Sequence, residues 1–265
     1  MLLINPPPQR LVGSLIMTNF LSFEGQVALV TGGCGGIGMA IASALAQHGA
    51  KVVVADLQKP TVELASGMSF VELDVRDVPA VHHVMAATSK RFGRIDVLVN
   101  AAGVVSSGSA ASVTETEWDH VVSINLKGSF FCCQAVMPFM KAASYGRIVN
   151  IGSVLGKNGG NPRPWLNNLE QSKAGNVAYG VTKAGVHAMT AYLAKELARF
   201  SITVNALAPG PVESAMTKAF PQVLKDLIPL GRMGLPEEIS DAALFLASSR
   251  AGFITGEVLD INGGL

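Results

Sequence analysis

The chain has 265 residues, with 20 basic and 19 acidic side chains and a formal net charge of +1. That balance carries no electrostatic footprint for nucleic acid or an anionic membrane surface. The longest apolar stretch, around Phe130–Met140, is cut by Gln134 and Pro138 and is too short to span a bilayer.

The first two dozen residues differ from the rest. Pro6, Pro7 and Pro8 block regular structure, and the LVGSLIM run after Arg10 lacks a signal-peptide cleavage site. Met17 opens MTNFLSFEGQVALVTGG, a natural start, so residues 1–16 read as an upstream extension. Residues 1–23 are expected to be non-catalytic, ahead of one catalytic domain over 24–265. The cysteines, Cys34, Cys132 and Cys133, show neither a disulfide framework nor a CxxC pair. No metal site is expected, and a cytoplasmic location fits.

From Gln26 onward, strand-like and helix-like runs alternate. Strands are predicted over 26–30, 51–55, 69–73, 95–100, 146–152, 202–208 and 258–261, and helices over 37–47, 79–92, 115–143, 179–200 and 236–247. Thr114 and Glu117 have capping-box spacing ahead of the third helix, and Pro236 suits a first helical turn. Such alternation predicts an α/β fold: a doubly wound parallel sheet with helices on both faces, and ligands at the C-terminal strand ends.

The first strand runs into a glycine turn, TGGCGGIG, and then a helix. Glycines let the backbone turn tightly and approach a pyrophosphate, and the helix start offers free N–H groups to it. Gly33, Gly35 and Gly38 satisfy GxGxxG, while Gly32, Gly36 and Gly38 satisfy TGxxxGxG. Asp56 ends the second strand, where a carboxylate accepts hydrogen bonds from the adenosine ribose and repels a 2′-phosphate. No Arg or Lys lies inside the glycine turn, and only nearby Lys59 argues the other way. NAD is therefore the expected cofactor. Other strand ends carry Asp74, Asn100 and Ser153, and Tyr179 and Lys183 stand four apart on one helix face.

With these motifs in order, the chain resembles the short-chain dehydrogenases/reductases from about Glu24 to Leu265. The resemblance rests on TGGCGGIG, Asp74 in LDV, NAAG (100–103), Asn125 in INLKGSF, Ser153, YGVTK (179–183), NALAPG (205–210) and ITGEVLDINGG (254–264). It implies a Rossmann-like domain with a seven-stranded sheet and the register Gly32, Gly36, Gly38, with Ile37 beside them in the cofactor turn. It also implies that Asp74 and Val75 border the adenine, and Asn100 and Ala101 the ribose. Pro209, Gly210 and Val212 would lie along the nicotinamide, and Ser214 stands where the family usually has Thr. Asn125, Ser153, Tyr179 and Lys183 would be catalytic, transferring hydride between the nicotinamide and a secondary alcohol or ketone. Tyr179 would exchange the proton, its ordinary pKa near ~10 lowered by Lys183⁺ and the oxidised ring. Ser153 would hold the substrate oxygen, Lys183 would also reach the nicotinamide ribose, and a water on the Asn125 backbone would relay protons from Lys183.

One departure concerns the substrate. Ser153 and Tyr179 are 26 apart where the family has about a dozen residues between them, so residues 156–176 form a loop insertion rich in Gly, Pro and Asn. It is expected to wall the substrate pocket, and Lys157, Asn158, Arg163, Trp165, Asn167 and Asn168 suit a polyol, sugar or sugar acid. The alternatives are a 3-oxoacyl-thioester (acyl-carrier-protein) reductase and a dinucleotide-binding protein without turnover. Ile124, Leu126, Phe130, Phe131, Val136 and Met137 spread over more than one helix face. With the family's packing of its two long helices between subunits, this points to a homotetramer, with no nucleic-acid or membrane partner.

Overall fold

The computed structural model describes residues 21–106, 109–159, 177–214, 217 and 222–265. Seven strands form one sheet: β1 Val27–Thr31, β2 Lys51–Asp56, β3 Met68–Glu72, β4 Val97–Asn100, β5 Gly146–Ile151, β6 Ile202–Pro209 and β7 Val258–Ile261. Every pairing is parallel, and the spatial order is β3-β2-β1-β4-β5-β6-β7. This is the Rossmann-like, single-domain α/β fold expected from the alternation. The order reverses between β1 and β4, which opens a crevice beyond their C-terminal ends.

β1, β4, β5 and β6 are buried along their whole lengths, because helices cover both sheet faces. Alternate side chains feed two cores. Leu29, Leu98 and Ile148 pack with Met85, Val136 and Leu197 on one side. Ala28, Val30, Val52 and Val99 pack with Ile41, Leu45 and Leu244 on the other. Phe23, on the extension side of the expected boundary, is fully buried in the second core, so the domain reaches at least that far forward.

Helix α1 spans Gly36–Gln47 and α2 Val78–Phe92. The Asp77 carboxylate caps α2 by accepting the Ala80 N–H at 3.0 Å. The single helix expected over 115–143 is instead three pieces: α3 Glu115–Val122, a π-helical stretch Ser123–Gly128, and α4 Ser129–Ala143. Thr114 does cap its start, accepting the Glu117 N–H at 3.1 Å. The physical cause of the break is tertiary. Asn125 grips Val104 and Thr182 across the domain, and Gly128 comes so near the segment after β3 that a Cβ would lie 2.8 Å from Val75 Cγ2. Helix α5 covers Val177–Leu197 and unwinds through a 3₁₀ turn, Ala198–Phe200, to Ser201 at φ 58°. Helix α6 covers Pro236–Ala247, with Pro236 in its first turn as expected. Among the described residues no helix is long and apolar enough to cross a membrane.

Candidate active site

The glycine turn carries its own proof of purpose. Gly32 has φ +63°, and a Cβ there would lie 2.5 Å from the Ala102 amide nitrogen. A Cβ on Gly38 would overlap the Gly32 carbonyl. Gly33 is equally constrained, with Val54 Cγ1 at 2.8 Å, so neither glycine register by itself accounts for the turn. Gly36 alone faces open space, with Ser214 Cβ at 3.7 Å its only neighbour. No side chain caps the start of α1, and its first turn holds no acid. Its leading N–H groups are therefore left for an anion, and the residues present fit a dinucleotide pyrophosphate.

A cleft of about 800 Å³ runs from this turn across the ends of β1 and β4. Gly32, Gly36, Ile37 and Gly38 line one end, with Asp56, Asp74, Val75 and Ala101. Asp56 accepts the Cys34 N–H at 2.9 Å and the Gln58 N–H at 3.0 Å, which orients its carboxylate. Asp74 is forked by Arg76, at 3.0 Å from Nε and 2.6 Å from Nη2. Those hydrogen bonds hold its carboxyl below the usual range. Arg76 and His120 also line the cleft and were not singled out from sequence; DVR and DH carry no motif.

Asn100 departs from its expected place. Its side chain turns into the sheet, donating to Asn150 Oδ1 at 2.9 Å and to Cys133 Sγ at 3.2 Å, and the cleft is lined by Ala101 to Gly103 instead. Pairing across β4 and β5, at Asn100↔Asn150, points both amides into the core.

The chemistry gathers at the other end, where Ser153, Tyr179, Lys183, Pro209, Gly210, Val212 and Ser214 all line the cleft. Ser214 is set by Thr217: its N–H donates to Thr217 Oγ1 at 2.9 Å. Ser153 follows β5, its Oγ accepts the Leu155 N–H at 3.2 Å, and its side chain acts on the Tyr179 phenol across the cleft. Lys183, one turn along α5, donates to the Ile151 carbonyl at 2.7 Å and sits 5.6 Å from the Tyr179 ring centroid. Burial pushes the Lys183 ammonium down to about 8. Burial also pushes the Tyr179 phenol up, partly opposed by the Ser153 side chain. In the free protein Tyr179 is thus held as a proton donor.

Asn125 is fully buried behind this group and does not line the cleft. Its Oδ1 accepts the Val104 N–H at 2.8 Å, while its Nδ2 donates to the Val104 carbonyl at 2.9 Å and to Thr182 Oγ1 at 3.1 Å. Its backbone carbonyl accepts the Ser129 hydroxyl at 2.8 Å. Asn125 therefore braces the strand end and α5 together. The start of the insertion, residues 156–158, belongs to one helical turn, Leu155–Asn158. Lys157 does not face the cleft; it donates to the Val258 carbonyl at 2.7 Å and pairs with Asp260 at 2.9 Å. Arg163, Trp165, Asn167 and Asn168 lie outside the described residues.

A protein-family model described as Enoyl-(Acyl carrier protein) reductase, adh_short_C2, matches residues 32–265. The 3-oxoacyl-[acyl-carrier-protein] reductase FabG of Thermotoga maritima is 39% identical over 257 residues, covering 92% of this chain and 99% of that one. The chain belongs to the short-chain dehydrogenase/reductase family. Another relative, the (2S)-[(R)-hydroxy(phenyl)methyl]succinyl-CoA dehydrogenase subunit BbsD of Thauera aromatica, is 38% identical over 256 residues, covering 92% and 98%. The crystal structure of gox2181 superposes with a TM-score of 0.82 at 33% identity, over 92% of this chain and 96% of that one. This short-chain dehydrogenase/reductase is an oxidoreductase of a family that works with a nicotinamide cofactor.

Proposed function

We propose that this enzyme interconverts a 3-oxoacyl thioester and the corresponding 3-hydroxyacyl thioester, with NAD(H) as cofactor. The observation that carries the reading is the pairing of a Ser153–Tyr179–Lys183 cluster with relatives named for acyl-thioester substrates. It displaces the polyol or sugar-acid expectation, which rested on insertion residues. Val154 and Leu155, which follow Ser153 directly, line the cleft with the apolar Val212 and Leu224, and these side chains suit an acyl chain better than a polyhydroxylated one.

A bound nicotinamide supplies or takes up the hydride. The chain's own residues handle the oxygen. Ser153 donates a hydrogen bond to the carbonyl oxygen and fixes it beside Tyr179. Tyr179, neutral through burial, donates its phenolic proton to that oxygen as it becomes an alcohol. Lys183, 5.6 Å from the ring centroid, stabilises the phenolate that remains. Asn125 holds Val104 and Thr182, and so keeps α5 in register with the strand ends. Asp56 supports NAD(H) because its carboxylate would stand against a 2′-phosphate, while the nearby Arg76 guanidinium is already forked onto Asp74.

The test is a panel of acetoacetyl-CoA, a 3-oxoacyl-carrier protein, polyols, sugar acids and hydroxysteroids, each with NAD(H) and NADP(H). Thioester turnover at least tenfold above every other class is expected. Turnover of a polyol without thioester turnover would overturn the assignment.

A further inference from the structure

β4 ends at Asn100, paired with Asn150, while β5 runs on. Beyond that point, the backbone groups of the chain after β5 that face β6 continue to pair with it. Gly152 N–H reaches the Leu207 carbonyl at 2.7 Å, and Val154 N–H the Pro209 carbonyl at 3.0 Å. The groups on the opposite edge have no strand left to pair with. Two side chains of α5, four residues apart, take its place. Lys183 donates to the Ile151 carbonyl at 2.7 Å, and His187 Nε2 accepts the Ser153 N–H at 3.4 Å. Among the described residues no other acceptor meets that amide.

The space for His187 is built in. A Cβ on Gly152 would overlap His187 Nε2 and come 2.7 Å from its Cδ2. A Cβ on Gly156 would lie 2.9 Å from its Cε1. In the segment GSVLG, the two glycines flank the catalytic serine and let the imidazole sit under its backbone.

We infer that His187 is a positioning residue that sets Ser153 for catalysis by accepting its backbone N–H. The inference rests on the reading of Ser153 as the group that holds the substrate oxygen. The accepting nitrogen has to be unprotonated, which places the ring proton on Nδ1. Burial pushes the imidazole down to about 4, with Lys157 and Lys183 adding to the effect and Asp260 opposing it. It is therefore neutral across the working range. A serine whose amide loses its acceptor is free to tilt, and a buried N–H without a partner drives that tilt.

The experiment compares His187→Gln, which keeps an acceptor, with His187→Leu and His187→Ala, which do not. Each is made in the parent and in Ser153→Ala, with kcat, KM, NADH affinity by fluorescence, and Tm. The expected result is a roughly tenfold fall in kcat for Leu and Ala, the scale of one lost hydrogen bond. His187→Gln should stay within about threefold of the parent, NADH affinity should be unchanged, and no further loss should appear in the Ser153→Ala background. The inference is overturned if Leu and Ala stay within twofold of the parent. Gln proving worse than Leu, or losses that add to Ser153→Ala, would overturn it equally, because ring volume rather than the acceptor would then matter. Full activity in Ser153→Ala alone is a different failure: it removes the role of Ser153 itself.

Discussion

Lys183 offers a test in which stability and activity move in opposite directions. Its ammonium is buried, and burial lowers its pKa from 10.5 to about 8. A shift of that size corresponds to a penalty of about 3 kcal/mol for keeping the charge in the folded state. The sign follows from proton counting. Between pH 8 and 10.5 the unfolded chain holds more protons than the folded one, so this group's contribution to stability rises with pH across that window. Below it the full penalty stands. Lys183→Met removes the charge at similar length. It also strips the Ile151 carbonyl of its donor, which costs about 1–2 kcal/mol. The net expectation at pH 7 is a cofactor-free protein more stable by about 1–2 kcal/mol. Urea denaturation at one fixed protein concentration reads this as a higher midpoint with unchanged slope. The advantage should shrink as the pH is raised toward 10.5. The same variant should lose turnover by roughly 10²-fold or more, as Tyr179 loses its counter-charge. A Lys183→Met protein no more stable than the parent at pH 7 would show that the ammonium carries no such penalty.

Other consequences are open to direct measurement. Tyr179→Phe should cut kcat by roughly 10²-fold or more with NADH affinity nearly intact; a variant keeping most of its activity would mean another group gives the proton. Asp56→Ala should relax a preference for NADH over NADPH, read as the ratio of kcat/KM values with one substrate, and a parent that favours NADPH would refute the role given to this carboxylate. Light scattering at micromolar concentration should find a homotetramer. Phe130, Val181 and Tyr192 remain exposed at 38%, 46% and 79% in the single chain, and a monomer would leave them without cover.

What could be read from sequence divides along a physical line. The alternation of buried strands with capped helices is local, and it identified all seven strands and the sheet they form. The glycine turn, Asp56, Ser153 and the Tyr179–Lys183 pair could be placed from sequence, each by one short segment at a strand end or on one helix face, and the structure brings them to one cleft. What escaped depends on contacts between segments far apart in the chain. The break at Asn125 comes from its hold on Val104 and Thr182, 21 and 57 residues away. No helix propensity reports such a grip. The direction of the Asn100 side chain likewise depends on a distant partner, because pairing at Asn150 turns its amide into the sheet.

The same division applies to how the active site is held together. Ser153 comes from the segment after β5 and Tyr179 and Lys183 from α5, and beyond the end of β4 Lys183 ties the two by donating to the Ile151 carbonyl. Glycines 152 and 156 allow that approach, and Leu126 presses on α5 at Gly185, where a Cβ would lie 2.9 Å from its Cδ2. A side chain at Gly152 or Gly156 pushes α5 away from β5 and parts the tyrosine from the serine, whereas one at Gly185 presses on α5 from its opposite face, against the Leu126 methyls. Gly185→Ala acts from the far side of α5, touching neither Ser153 nor Tyr179. It is therefore expected to lower kcat while leaving NADH affinity near that of the parent, because the glycine turn that holds the pyrophosphate lies at the opposite end of the cleft. Equal losses in kcat and NADH affinity would show that the two ends of the cleft are not held independently.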